Sequence, residues 1–459
     1  MYPKILPFHA RHDKASFTVA TLDELARFPA VILDWNDEAR AGWAPDGLTP
    51  GQYIRQANPT GLQLAYIPAA YWWSQPTMSV QAAPHRVAVQ MHLNARNLWL
   101  RGPNDQPIEP WPGQPLLSPD AVAYLSDYVA EHFDRSHWDG IHFDVLTSEI
   151  IHLGASAQQS AAVVNDLQQM AANLFHAGIY IQGNGSWAPD PEDISLPSPY
   201  YRFLDGAMVE KFPSYPWYSL NGQQQPLYDY RFAFHMRQAQ TWIDAGKTCY
   251  AFHDDSLHSH EWFGRFIPTV WQGRRFVLAS ACLAGAWYVP PMRQTLPWTD
   301  EIAVVDGATT KDPAGIGWLG DPVEAPQSIG FHMRREFQNG QVLVNASQLP
   351  YTFGIGQGWR RIAGWYDKQT NNGQRVDGQI TLAPFDAILL IRAGAPLPTP
   401  TPQPEPPTTP APDPRFQRLE QLHAASLLLE QSLANQQRAI AAYDHARRVW
   451  QDALDALEN

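Results

Sequence analysis

The sequence predicts a (β/α)8 TIM barrel, then a small C-terminal antiparallel β domain, a Pro-rich linker and a long coiled-coil helix. Three observations carry this. Over residues 1–320, short apolar runs alternate with helix-periodic segments, as a parallel sheet with crossover helices requires. Across 329–393 the apolar period shortens to that of exposed strands. Beyond 395 the chain becomes proline-dense and then settles into a 3-4 apolar spacing.

Taken in order, strands are expected at 30–34 (AVILD), 61–67 and, more weakly, 87–91. The remaining five are expected at 140–144, 178–184, 204–210, 247–252 and 286–289. Helices are expected at 119–133, with Ser118 as N-cap, and at 157–176, 228–245 and 269–284. An open doubly wound sheet is the alternative, but no GxGxxG or P-loop follows any strand. Residues 321–394 form a β-sandwich-like domain: 341–345 and 380–382 alternate, 387–391 is apolar, and Asn371-Asn372-Gly373 marks a turn.

Residues 395–414 hold ten prolines and no aromatic side chain. They read as an extended polyproline spacer reaching ~60 Å. Residues 415–459 lack Pro and Gly. Leu419, Leu422, Leu429, Leu433, Ile440, Tyr443, Trp450, Leu454 and Leu457 fall on one seam, interrupted by Ser426, Gln436 and Arg447. Such a stripe needs a cover, so the helix is expected to self-associate or to dock on a partner.

The chain of 459 residues is 44% hydrophobic and 17% charged, which supplies a large core. Its net charge of −13, with no basic run, argues against nucleic-acid binding. Two cysteines, Cys249 and Cys282, exclude a disulfide scaffold or a Cys-rich zinc site, and both read as core. No apolar run reaches membrane-spanning length. The N-terminus is too polar and Pro-broken for a signal peptide, which suggests a cytoplasmic, virion-associated or otherwise non-classically released protein.

A barrel carries its active site where the strands end. Here those ends are rich in carboxylates: Asp34, Asp144, Glu210 and the pair Asp254-Asp255, joined by Trp35, Asn184, Trp187 and His253. Glycosidic hydrolysis needs two carboxyl groups, one to protonate the leaving oxygen and one to attack or to activate water. Asp144 and Glu210 end strands separated by one other, so the ~5–9 Å spans of glycosidases are within reach. Asp144 has a competing reading as the N-cap of the next helix, and Asp34 reads equally as cap or ligand. Asp139-Gly140 and Asp205-Gly206 read as turns at the opposite rim.

The stretch His253 to Glu261 looks metal-like but lacks any regular ligand spacing, so it reads as a substrate-binding loop; no metal or cofactor is expected. The 18 Trp, 18 Tyr and 19 Phe suit either a large core or sugar-stacking surfaces. Trp72, Trp73, Trp99, Trp111, Trp187, Trp217 and Tyr218 fall mainly in loops after strands.

Several of these segments resemble a known group. Trp138-Asp139-Gly140-Ile141-His142-Phe143-Asp144 resembles its "fDGiflD" strand, and Leu204 to Glu210 its "DGamvE" strand. Arg275 to Leu283 resembles "RfgLasaLl"; Trp298-Thr299-Asp300-Glu301 with Gly317 to Pro322 resembles its "W-x-D-E … GyLG-x-P" join. Together they are similar to the hypothetical glycosyl hydrolase 15 family, and more distantly to the α-galactosidase clan layout, over about residues 30–393. The resemblance implies a TIM-barrel hydrolase acting on polysaccharide, with Asp144 as nucleophile or base and Glu210 as general acid. The group often has Asn after the strand-4 Asp, where this chain has Val145.

The expected function is therefore a glycoside hydrolase, retaining in outcome, that cleaves a poly- or oligosaccharide. Asp34, Trp35, Trp99, Asn184, Trp187, His253, Asp254 and Asp255 would hold the sugar. Spacer and helix suggest attachment to a larger assembly, as in a phage-tail depolymerase acting on a surface polysaccharide. The alternative is a non-catalytic carbohydrate-binding, adhesion or phage-tail structural protein on the same barrel.

Overall fold

The computed structural model describes residues 1–9, 14–74, 83–146, 153–184, 201–210, 212–213, 219–220, 223–224, 228–252, 266–290, 299–310 and 315–394. The linker and the C-terminal helix expected at 395–459 lie outside the described residues.

Eight parallel strands follow one another around a barrel: β1 (Phe8–His9), β2 (Ala30–Asp34), β3 (Leu62–Pro68), β4 (Gly140–Asp144), β5 (Tyr180–Asn184), β6 (Gly206–Glu210), β7 (Thr248–Phe252) and β8 (Trp287–Val289). A parallel bridge between Ile5 and Tyr288 joins the last strand to the N-terminal segment, with Tyr288 N–H donating to Lys4. The fold is a TIM barrel followed by a C-terminal β domain.

Two strand expectations need correction. Residues 87–91 are not a strand but lie within helix α3 (Pro84–Arg96). The Val-Ala-Val-Gln-Met run alternates for only five residues, too few to separate a period of 2 from 3.6. Pro84 in the first turn fixes a helical start, and Val87, Val89, Gln90 and Leu93 are buried. The missing strand is β1, two residues long, which offers no periodicity to read.

The other helices are α1 (Val19–Leu25), α2 (Pro50–Ala57), α4 (Pro119–His132), α5 (Ala157–His176), α6 (Tyr228–Asp244) and α7 (Val270–Ala284). Their starts are set by local chemistry. Ser118 caps α4 as expected, accepting from Ala121 N–H at 3.3 Å. Thr49 with Gln52 and Ser156 with Gln159 form capping boxes on α2 and α5.

Inside the barrel, alternate residues meet. Phe8, Ala30, Ile32, Leu64, Met208, Tyr250, Phe252 and Val289 form one buried cluster, with Tyr66 and Tyr180 packed on it. The Asp-Gly pairs at the lower rim are strand clamps rather than turns. Asp139 accepts from Gln63 N–H at 2.7 Å, and Asp205 from Ile181 N–H at 2.8 Å. Each thereby ties its strand to the neighbour. Gly140 and Gly206 make room: a Cβ at either would fall within 2.5 Å of Tyr180 or 2.8 Å of Tyr250. Those two tyrosines fill the lower barrel with their hydroxyls hydrogen-bonded at 2.8 Å.

The β domain is one antiparallel sheet of six strands. They are β9 (Gln327–Ile329), β10 (His332–Glu336), β11 (Gly340–Asn345), β12 (Tyr351–Arg361), β13 (Arg375–Leu382) and β14 (Asp386–Arg392), in the order 9-10-11-14-12-13. Strands β11 and β14 are buried on both faces. Val342, Val344, Ala387, Leu389 and Ile391 join the main core, while Leu343, Ile388 and Leu390 meet Phe353, Trp359 and Ile380 in a second one. Both cysteines are buried, as expected.

A charged knot fastens the sheet to α7. Arg275 is 1% exposed. Its guanidinium donates to Ala387 C=O at 2.7 Å and to Asp386 at 2.7 Å, and it also pairs with Asp367. Asp300 accepts from the backbone N–H groups of Trp365, Tyr366 and Asp367. Burial pushes the Glu301 carboxyl up to about 7, although Arg275 opposes the shift, and Asn371 donates to it at 2.6 Å. Among the described residues no helix is long and apolar enough to cross a membrane.

Candidate functional site

Strand parity decides which side chains reach the upper mouth. On β4, Gly140, His142 and Asp144 share a face, and His142 lies inside the barrel against Tyr66 and Phe8. On β5 the matching residues are Tyr180, Gln182 and Asn184. On β6, Glu210 stands two register positions beyond Met208, which belongs to the inner cluster. Asp34, Asp144, Asn184 and Glu210 thus close four strands on one parity at one end of the barrel.

Asp144 is the centre of the described site. Its Oδ2 accepts from Tyr66 Oη at 2.6 Å and Tyr71 Oη at 3.1 Å. Its Oδ1 accepts from Asn184 Nδ2 and from Val145 N–H, each at 2.9 Å. Four donors converge on one half-buried carboxyl, and among the described residues no cation pairs with it. The set fills both carboxyl oxygens with hydrogen-bond donors.

The donors keep their protons. Burial, reinforced by the Asp144 charge, holds the Tyr66 and Tyr71 hydroxyls well above the ordinary phenol range. Burial also lowers His142 to about 4, so beneath Asp144 lies a neutral imidazole. Ser156, not Asp144, caps α5. Val145, which donates its N–H to Asp144, has an unusual backbone. Val145 sits at φ 53°, in the left-handed region that β-branched residues avoid.

The remaining expected residues fall differently. Asn184 joins Asp144 directly. Asp34 is 1% exposed. It accepts from Asn36 N–H at 2.8 Å as a cap and is ion-paired with Arg86 at 3.1 Å and Arg40 at 3.3 Å. Trp35 is buried, its indole stacked on His85 at 4.3 Å. Trp99 is buried too and donates its indole N–H to Asn94 at 3.2 Å. Asp34, Trp35 and Trp99 thus each have protein partners; Asp34 is the register partner of Tyr66 on the neighbouring strand, and its ion-pair partner Arg86 acts electrostatically on Tyr66 and Tyr71. Trp187, His253, Asp254, Asp255 and the Glu210 side chain lie outside the described residues.

Sequence reasoning passed over Tyr66 and Tyr71. Tyr66 shares the inward parity of β3 with Leu64, and that register was the available signal. Tyr71 sits just past the strand and had none beyond its place in a Tyr-Trp-Trp run. Among the described residues no group of His, Cys, Asp and Glu is arranged to hold a metal ion.

No protein-family model matches the chain. No curated protein matches it by sequence. Solved structures similar in fold include isomaltulose synthase (PalI) from Klebsiella sp. LX3, at 10% identity and TM-score 0.44, covering 85% of this chain and 100% of that one. AmyP in complex with maltose shares 9% identity at TM-score 0.41, covering 87% and 97%. A glycoside hydrolase family 5 protein from Bacteroides vulgatus ATCC 8482 shares 10% at TM-score 0.39, covering 86% and 90%.

Proposed function

We propose that the protein is a retaining glycoside hydrolase, with Asp144 as nucleophile and Glu210 as general acid and base. The observation that carries the reading is the Asp144 cradle: four donors on a carboxyl at the barrel mouth, with no described cation to quench it. A nucleophile must hold its aim, and four hydrogen bonds fix the orientation of this carboxyl. The sequence resemblance and the end of β6 support Glu210 as its partner.

The reaction would run in two steps. An Asp144 oxygen forms a bond to the anomeric carbon as the glycosidic C–O bond breaks, and the leaving oxygen takes the Glu210 proton. Water then attacks the same carbon, giving a proton to the Glu210 carboxylate and releasing Asp144. Asn184 and the two tyrosines hold the attacking carboxylate in place throughout. The substrate is a poly- or oligosaccharide. The heptads of 415–459 and the spacer before them support attachment of the enzyme to a larger assembly, such as a phage tail.

The test is hydrolysis of a panel of aryl glycosides and soluble polysaccharides by the full chain. Asp144→Asn and Glu210→Gln should each lower turnover by roughly 10²–10⁴ with folding intact. Azide should restore turnover of an aryl glycoside to Asp144→Ala. Unchanged turnover in Asp144→Asn would sink the assignment.

A further inference from the structure

The segment after β3 and the loop between α3 and α4 are zipped together by backbone hydrogen bonds. Trp72 N–H donates to Pro115, Ser74 N–H to Gly113 and Leu117 N–H to Ala70, at 3.1, 2.9 and 2.9 Å. The Ser74 hydroxyl also donates to Gly113 C=O at 3.2 Å. A loop so tied is a rigid mount. It carries Trp111, whose ring centroid lies 5.2 Å from that of Tyr71. Tyr71 in turn reaches Asp144, so Trp111 stands one tyrosine away from the proposed nucleophile.

The neighbouring rings differ in what they can offer. Trp72 is 2% exposed and Tyr71 6%. Trp73 is half-buried, and the Arg86 guanidinium lies over its ring at 3.7 Å. Trp111 is 39% exposed. An indole held open on a fixed loop beside a reactive carboxylate suits the apolar C–H face of a pyranose ring, and the rigid mount keeps the ordering cost of binding low.

Resting on the glycosidase reading above, we propose that Trp111 is the platform for a second sugar ring, adjacent to the ring attacked by Asp144. The enzyme then selects chains over single glycosides. Tyr71 links the two positions, packing on Trp111 with its ring and donating to Asp144 with its hydroxyl.

The experiment uses three probes, maltohexaose, cellohexaose and chitohexaose, with binding measured by calorimetry on the full-length Asp144→Asn protein. Adding Trp111→Ala should weaken the best-bound hexasaccharide by about tenfold or more, whereas Trp111→Phe should keep most of the affinity. In the active enzyme, Trp111→Ala should lower kcat/KM for that hexasaccharide by more than for the matching aryl monoglycoside. Unchanged hexasaccharide binding in Trp111→Ala, equal losses for chain and monoglycoside, or no binding of any probe by the parent would overturn the proposal. If Asp144→Asn hydrolyses normally, the nucleophile assignment falls, while a binding loss in Trp111→Ala still upholds the platform.

Discussion

Glu301→Gln should make the protein more stable at pH 8 and leave it unchanged near pH 5. The carboxyl is 2% exposed, and burial pushes it from an ordinary 4.5 to about 7, against the pull of Arg275. The folded state therefore binds a proton more tightly than the unfolded chain. Stability from this group is present below pH 4.5 and drains away as pH rises towards 7. At one unit per 1.36 kcal/mol, the loss above pH 7 is on the order of 3 kcal/mol. Glutamine copies the neutral acid, and its carbonyl can still accept from Asn371, the donor at 2.6 Å. The assay is urea unfolding of wild type and Glu301→Gln between pH 5 and pH 8. Wild type should lose stability over that window and the variant should lose much less. Parallel pH curves, or a variant less stable throughout, would show that Glu301 is held as an anion by Arg275 and would refute the reasoning.

Two further outcomes follow from the Asp144 cradle. Tyr66→Phe removes the shortest of its four hydrogen bonds, 2.6 Å, and should lower kcat by about tenfold or more, since a bond to a charged group contributes roughly 1.5–3 kcal/mol. Steady-state kinetics beside circular dichroism would check it, and unchanged kcat would count against the cradle. Val145→Asn exchanges a β-branched residue at φ 53° for one that tolerates that backbone, relieving roughly 1–2 kcal/mol while giving up about as much apolar packing. Thermal unfolding should place the variant within about 1 kcal/mol of wild type. A loss above about 2 kcal/mol would show that packing of Val145 outweighs its backbone strain.

Val145 turns left-handed at φ 53° just past the Asp144 carboxyl, a backbone that Asn tolerates better. Only the dihedral angle revealed a conformational role.

Strands of five or more residues with apolar inner positions were legible because burial on both faces leaves a continuous run, as at 30–34 and 248–252. The pair Phe8–His9 was too short to register, and 87–91 was too short to classify. At the site, carboxylates at strand ends stood out by charge. Tyr66 did not, because a tyrosine on an inward register looks like core until its hydroxyl is seen to have a partner. Asp34 stood out by charge as well, but its two arginines could not be seen, because pairing across the 52 residues to Arg86 cannot be read from local pattern.

Helix α7 packs on two sides. From Gln272 to Ala284 every residue is buried, on the barrel side and on the β-domain side alike. It works as a keel planed on both flanks, and a chain cut after residue 320 would bare one of them. Arg275 would lose Asp367, Asp386 and the Ala387 carbonyl at once. Swapping in a barrel or a β domain from another protein would therefore require that both faces of this helix travel with it.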